Sequence, residues 1–302
     1  KKAFTKMYKL HSFCCYLFLL MCVGNQTGQA QPTAELPPNS NGINPLVLQD
    51  NQLQEFEQLL KDQIEVMEEL NKVLSRVLDE ISAEQNVADI KAAGGDAMGV
   101  LVDVSNQAEV DAAIADVVKA YGSLDILVNN AGVGFGSSIL NENDDKAWDA
   151  NYAVNVKGAM AMCKGAVAAM EKSGGGAIVN VASTAGIAAS AGMPYPYVAT
   201  KHALVGATKV LAIENAPKGI RANVVAPGAI NTDMLQQAYA AIAEGAGISI
   251  EQAAKEENAS IPMGRPAEPS EIADAIVYLA SPAASYVTGI VLPVHGGMAP
   301  GI

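Results

Sequence analysis

Basic residues are in short supply: 19 Lys and Arg stand against 32 Asp and Glu, for a formal net charge of -13. A duplex binder needs a cationic face to release counterions, so no nucleic-acid partner is expected. Aromatics make up 5% of the chain and charged residues 17%. Few aromatics with abundant Ala and Gly suit close helix–sheet packing in an α/β protein better than a β-sandwich. Of the four cysteines, Cys14, Cys15 and Cys22 crowd into one apolar run and Cys163 stands alone. Their spacing matches neither a metal site nor a disulfide framework, and Cys163 reads as a small core residue. No apolar run reaches the ~20 residues that a membrane span needs. What is present is core material: 50% of the 302 residues are hydrophobic. That excludes a wholly disordered chain and allows one large domain or two ordinary ones, at ~100–200 residues each.

The N-terminal third reads as three pieces. After Met7, Lys9 and His11 give a weakly basic opening, Ser12 to Val23 is mostly apolar, and Gly28-Gln29-Ala30 sets small residues at a cleavage position. Residues 1–30 thus have the layout of a secretory signal peptide cut after Ala30, with an apolar strand or helix as the plainer alternative. Residues 31–47, with Pro37-Pro38 and Asn44-Pro45, read as a linker. Over 48–85 a seven-residue repeat runs through Leu53, Leu60, Met67, Leu74 and Ile81, and a second through Phe56, Gln63, Leu70 and Val77. This spacing predicts a long amphipathic helix. It serves either oligomerisation or docking, or packs on the rest of the chain.

Beyond Asn86 strand and helix alternate. Strands are expected at Asp96–Val104, Leu124–Asn129, Ala177–Ala182, Ile220–Ala226 and Gly289–Val294. Helices are expected at Gln107–Tyr121, Trp148–Met170, Tyr197–Asn215 and Pro269–Ala280. Uninterrupted apolar strands alternating with helices imply a parallel sheet covered on both faces. Ligands bind beyond the carboxyl ends of such strands. There stand Asp103, Asn129-Asn130-Ala131-Gly132, Ser183 and Pro227-Gly228. Tyr197 and Lys201 share one helix face at i,i+4. A nearby ammonium favours the phenolate, so it should lower the tyrosine pKa from ~10 toward the working range, where it acts as general acid or base.

With Asp103-Val104, Asn129-Asn130-Ala131-Gly132, Asn155 in Asn155-Val156-Lys157-Gly158, Ser183, Tyr197-x-x-x-Lys201, and Pro227-Gly228 followed by Thr232, residues 86–302 resemble a short-chain dehydrogenase/reductase. The resemblance implies hydride transfer between NAD or NADP and a secondary alcohol/ketone pair. It implies Tyr197 as proton donor and acceptor, Lys201 on the nicotinamide ribose, Ser183 on the reacting oxygen, and Asn155 distorting its helix and anchoring a relay water. Asp103 would face the adenine; Asn129, Ala131 and Gly132 would line the ribose; Pro227, Gly228 and Thr232 would border the nicotinamide. Met234–Pro262 would form a lid, whose Met234, Leu235, Tyr239 and Ile242 suggest an apolar pocket. The family also implies a homo-oligomer, tetramer or dimer, through the helices at 148–170 and 197–215. The reductase segment is expected in the cytoplasm, or outside the cell if the signal-like segment is genuine.

Plainer readings compete at single positions. Asp103 could cap a turn, and Asn155 could be a solvent-facing helix residue. Tyr195 has Ala199, not Lys, at i+4, and Thr184 neighbours Ser183. His202 and His295 read as structural. Gly132-x-Gly134-x-Gly136 reads as a substrate-side loop. The pattern also breaks. Upstream of Asp103 there is no Thr-Gly-x-x-x-Gly-x-Gly turn to cradle a pyrophosphate, only isolated Gly24, Gly28 and Gly42. The expected fold is therefore a Rossmann-like doubly wound sheet missing its first two strands. Its strand ending at Asn129 should expose an apolar edge, and its cofactor affinity should be weak or lost. Fusion of two coding segments, or a diverged member without its cofactor half, would each produce this break. A secreted non-enzymatic protein assembling through the heptad helix is the alternative function.

Overall fold

The structure, a computed structural model, describes Gln58 and residues 83–134, 136–140 and 145–299. The signal-like segment, the linker and helix 48–85 up to residue 82 lie outside the described residues, Gln58 apart. The chain divides into Lys1–Asp79 and Glu80–Ile302, and the second unit carries everything below.

Four strands form one sheet among the described residues: β1 (Ile126–Asn129), β2 (Gly176–Val181), β3 (Ile220–Pro227) and β4 (Val291–Val294). They lie in the order β1-β2-β3-β4, all parallel, with Asn129 opposite Asn180 and Val181 opposite Val225. Beyond a helical stretch at 83–92, the helices are α1 (Gln107–Tyr121), α2 (Asp145–Tyr152), α3 (Ala159–Ser173), α4 (Tyr195–Asn215), α5 (Asp233–Ala246), α6 (Ile250–Ala259) and α7 (Pro269–Ala280). Alternate residues of a strand face opposite sides of the sheet, and here both sides are apolar. Ile178 and Ile220 pack with Cys163, Met170 and Ala212 from α3 and α4. Val179 and Val225 pack with Ile272 and Leu279 of α7. Helices therefore cover both faces, which is the expected doubly wound α/β architecture.

Buried polar groups tie the layers together. Asn129 Nδ2 donates to Asn180 Oδ1 (2.8 Å), and Asn180 Nδ2 donates to Thr208 Oγ1 on α4 (2.8 Å). No buried side-chain nitrogen or oxygen among the described residues lacks a partner, as a stable interior requires. Arg221 reaches from β3 to the carboxyl end of α7, donating to the carbonyls of Leu279, Ala280 and Ser281 and to that of Val287. It satisfies the helix's last acceptors and meets its negative end. Cys163 is a buried core residue, and burial pushes its thiol up to about 11.

Two expectations need correction. The strand expected at Asp96–Val104 does not form. A strand exists only by pairing, and no described strand lies beside this segment, so its apolar residues Met98, Val100 and Leu101 stay exposed. Ile126 (49%) and Val128 (40%) of β1 are exposed too, the apolar edge expected of a strand that has no further neighbour on that side among the described residues. The helix expected as one run at Trp148–Met170 is split into α2 and α3 by a π-helical turn, Ala153–Gly158, which contains Asn155, the residue expected to distort it. Close packing explains where segment 103–104 sits. A Cβ on Gly158 would lie 2.8 Å from Val104 Cγ2 and 2.9 Å from its carbonyl oxygen.

Candidate active site

α4 begins with Pro196 in its first turn, where its fixed φ suits a helix start and no N–H is missed. From there Tyr197 and Lys201 point to one side, toward the carboxyl end of β2. Just past that end, Ser183 caps a short 3-10 turn (Thr184–Gly186), its Oγ accepting from the Ala185 N–H at 3.1 Å. The turn sits directly on α4: a Cβ on Gly186 would come within 2.8 Å of the Lys201 carbonyl oxygen. This contact delivers Ser183 to the helix beside Tyr197, where its hydroxyl favours the ionised phenol. Lys201 is 4% exposed; its Nζ donates to the Val181 carbonyl at 3.1 Å and lies 5.7 Å from the Tyr197 ring centroid.

Asn155 lies inside the π-helical turn and is buried. Its amide pairs twice with the backbone of Val133, accepting from the N–H and donating to the carbonyl, both at 2.9 Å. It also donates to Thr200 Oγ1 at 3.1 Å. The loop after β1 is thereby pinned over α4. A Cβ on Gly132 would sit 3.0 Å from Lys201 Nζ and 3.3 Å from Asn155 Oδ1, and one on Gly134 would sit 3.4 Å from the Tyr197 ring. Val133 and Thr200 are site residues that sequence reasoning missed. Thr200, a polar residue three positions after Tyr197 on a helix interior, carried a usable signal; Val133 acts through its backbone and carried none.

The electrostatics differ from expectation. Burial raises the Tyr197 phenol above its ordinary value, and the neighbouring Ser183 hydroxyl only partly offsets it. Burial also pushes the Lys201 ammonium down to about 8. Both groups resist charge for one reason: their cleft is poor in water. The expected acidification of the phenol by the amine does not dominate.

Other candidates fall in different places. The Asp103 carboxylate accepts from the Ser105 N–H (2.9 Å) and hydroxyl (2.7 Å), so it closes the turn before α1. Asn129 is committed to the core through Asn180 and the Ala159 carbonyl. Neither joins the cluster around Tyr197, because one serves a local turn and the other cross-strand pairing. Ala131 and Gly132 follow β1 in the pinned loop. Pro227 ends β3, and Gly228 donates to the Val294 carbonyl at 3.0 Å. Thr232 precedes α5, its hydroxyl bonded to the Ile230 carbonyl. Tyr239 is buried within the α5–α6 hairpin, its hydroxyl donating to Asn258 Oδ1 at 2.7 Å. Tyr195 is exposed, and His202 Nδ1 lies 2.9 Å from the Val198 carbonyl on the outer helix surface. No group of acidic, His and Cys residues among those described could hold a metal ion.

The donor set fits the ribose end of a nicotinamide cofactor. Lys201 carries three N–H donors and spends one on Val181, beside Gly132, which brings no side chain against the ammonium.

A family model described as enoyl-(acyl carrier protein) reductase matches residues 68–299, starting upstream of the expected Asn86. A 2,5-dichloro-2,5-cyclohexadiene-1,4-diol dehydrogenase of Sphingobium indicum is 35% identical over 78% of this chain and 89% of its own length. A 2-(S)-hydroxypropyl-CoM dehydrogenase of Xanthobacter autotrophicus is 39% identical over 73% and 84%. Among solved structures, a single-substitution variant of an actinorhodin polyketide ketoreductase with NADPH superposes with a TM-score of 0.70, at 36% identity, covering 73% of this chain and 85% of that one. The chain belongs to the short-chain dehydrogenase/reductase family, and these relatives are dehydrogenases and reductases.

Proposed function

We propose that this protein interconverts a secondary alcohol and a ketone at the cleft formed by Ser183, Tyr197 and Lys201, using NAD or NADP. The convergence of the Ser183 turn with Tyr197 and Lys201 of α4 at the carboxyl end of β2 carries this reading. A ketone oxygen entering there meets two hydroxyls. Ser183 donates to it, and Tyr197 gives it a proton as the carbonyl is reduced, or removes one as the alcohol is oxidised. The raised phenol pKa keeps Tyr197 protonated at neutral pH, which suits the reductive direction. Lys201 holds the ribose hydroxyls of the cofactor and stabilises the phenolate left behind. Asn155 holds the loop at Val133 and anchors the water that reprotonates the site. The bound nicotinamide supplies or accepts the hydride.

Ala131 and Gly132 line the ribose, and Pro227, Gly228 and Thr232 border the nicotinamide; Asp103 and Asn129 contribute through the turn and the core. The α5–α6 hairpin, within 234–262, covers an apolar substrate. Relatives named for a cyclohexadienediol and a polyketide support a secondary alcohol or ketone. Exposed Trp148 and Tyr152 on α2 and Val210 and Ile213 on α4 favour a dimer or tetramer. NAD(P) chemistry favours the cytoplasm, and no helix among the described residues is long and apolar enough to cross a membrane.

The test is steady-state turnover of the full chain with NADH and with NADPH against apolar cyclic ketones, followed by nicotinamide absorbance. Cofactor oxidation that depends on ketone is expected. No oxidation at millimolar concentrations of both cofactors overturns the assignment.

A further inference from the structure

Three segments meet beneath Gly228. The first is the outgoing stem of the α5–α6 hairpin, Gly228 to Thr232. The second is its return stem, Ile261 to Ala267. The third is the turn after β4, His295 to Met298. The two stems pair: Ala267 N–H donates to the Ala229 carbonyl (2.9 Å) and Asn231 N–H to the Ala267 carbonyl (2.8 Å). The turn holds both. Gly228 N–H donates to the Val294 carbonyl, and Met263 N–H to the Gly296 carbonyl at 3.1 Å. Packing is tight: a Cβ on Gly228 would lie 2.9 Å from His295 Cβ, and one on Gly297 would lie 3.0 Å from Pro262.

The turn carries Gly296 at φ 58 and Gly297 at φ 90, a left-handed pair that only glycines adopt readily. It is closed from inside by a side chain: His295 Nδ1 accepts from the Gly297 N–H at 3.1 Å. An Asn or Asp side chain closes such turns in the same way, two residues ahead of itself. An imidazole can do so only while Nδ1 carries no proton. A small cavity of about 80 Å³ adjoins the ring, and its lining includes Ile261, Met263, Met298 and a charged pair, Arg265 with Glu271. Those two satisfy each other at 2.7 and 2.9 Å.

We propose that His295 is a positioning residue whose imidazole closes the 295–298 turn, so that both stems of the α5–α6 hairpin are locked against Gly228, and that protonation at Nδ1 unlocks them. The inference rests on the reductase reading only for its consequence, which is closure of the hairpin over substrate beside the nicotinamide loop. Neutral His295 holds the stems in register. Protonated His295 repels the Gly297 N–H, and the return stem loses its fixed support at Gly296.

Hydrogen exchange on the full chain tests this without requiring activity. Wild type, H295N and H295A are compared with one another at a neutral pH and at an acidic pH where an imidazole takes up a proton. At neutral pH, H295A is expected to exchange about tenfold faster than wild type in peptides spanning 261–267, the loss expected from one hydrogen bond of average strength. H295N, whose amide oxygen closes the turn at any pH, stays protected in both conditions. Wild type follows H295N at neutral pH and H295A in acid. If H295A does not fold, wild type and H295N alone decide, since an identical response to acid overturns the proposal. Equal protection of H295A and wild type at neutral pH overturns it as well. In kinetics, H295A raises KM for ketone more than it lowers kcat, and H295N restores both. Absence of turnover in wild type sinks the reductase reading while the exchange result still decides the role of His295.

Discussion

Replacing Lys201 with Met separates the cost of the buried ammonium from its use. The side chains are nearly equal in length, so packing is kept and the charge is removed. Burial moves the lysine from 10.5 to about 8. At about 1.36 kcal/mol for each tenfold in proton affinity, the folded state carries a penalty of roughly 3 kcal/mol wherever the unfolded lysine is charged and the folded one must be. Because the folded value is depressed, this penalty is full below pH 8 and is relieved as pH rises toward 10.5. Against it, the variant loses the bond to the Val181 carbonyl, which costs about 1–3 kcal/mol and varies little with pH. The net change at neutral pH is therefore small. The informative quantity is its pH dependence: the stability of Lys201→Met relative to wild type should fall by roughly 2 kcal/mol between about pH 7 and about pH 9.5. Urea unfolding of both proteins at the two pH values measures it, and all other titrating groups cancel. A difference independent of pH, or one that changes in the opposite sense, refutes the placement of a charged amine in a water-poor cleft.

Three further substitutions probe the scaffold. Arg221→Gln removes most of the bonds to three carbonyls at the end of α7 and to that of Val287, and urea unfolding should show a loss of about 2–3 kcal/mol; a loss under about 1 kcal/mol would show that water replaces it. Gly158→Ala drives a methyl into Val104. It should cost about 1–3 kcal/mol and expose segment 95–104 to limited proteolysis, and an unchanged cleavage pattern would contradict that packing. Asn155→Leu strands both backbone groups of Val133. Faster amide exchange at 130–134 is expected, and protection equal to wild type would mean the loop is held by other contacts.

Pattern on one face of an element was legible. Tyr197 and Lys201 sit four apart on a helix, so their shared face followed from spacing, and the apolar runs at 177–182 and 220–226 announced buried parallel strands. Ser183 followed from the rule that such strands present ligand sites at their carboxyl ends. What escaped depends on partners distant in sequence. Residues 96–104 have a strand's composition, yet strand formation needs a neighbour, and none of the described strands lies there. Asn129 looks the same in a cofactor loop as in a core; only its register opposite Asn180 shows which it is. The sign of the Tyr197 shift escaped for a related reason. Proximity of a cation is readable from i,i+4 spacing, but desolvation is set by Gly132, Gly134 and the Ser183 turn folding over the pair.

The central claim is that the Tyr197 hydroxyl moves the proton at the reacting oxygen. The direct measurement is ketone-dependent NADPH or NADH oxidation by Tyr197→Phe beside wild type, with cofactor binding followed by fluorescence in the same samples. Loss of turnover by about 10²–10⁴-fold, with binding retained, is the predicted result. Turnover within about tenfold of wild type would contradict the account.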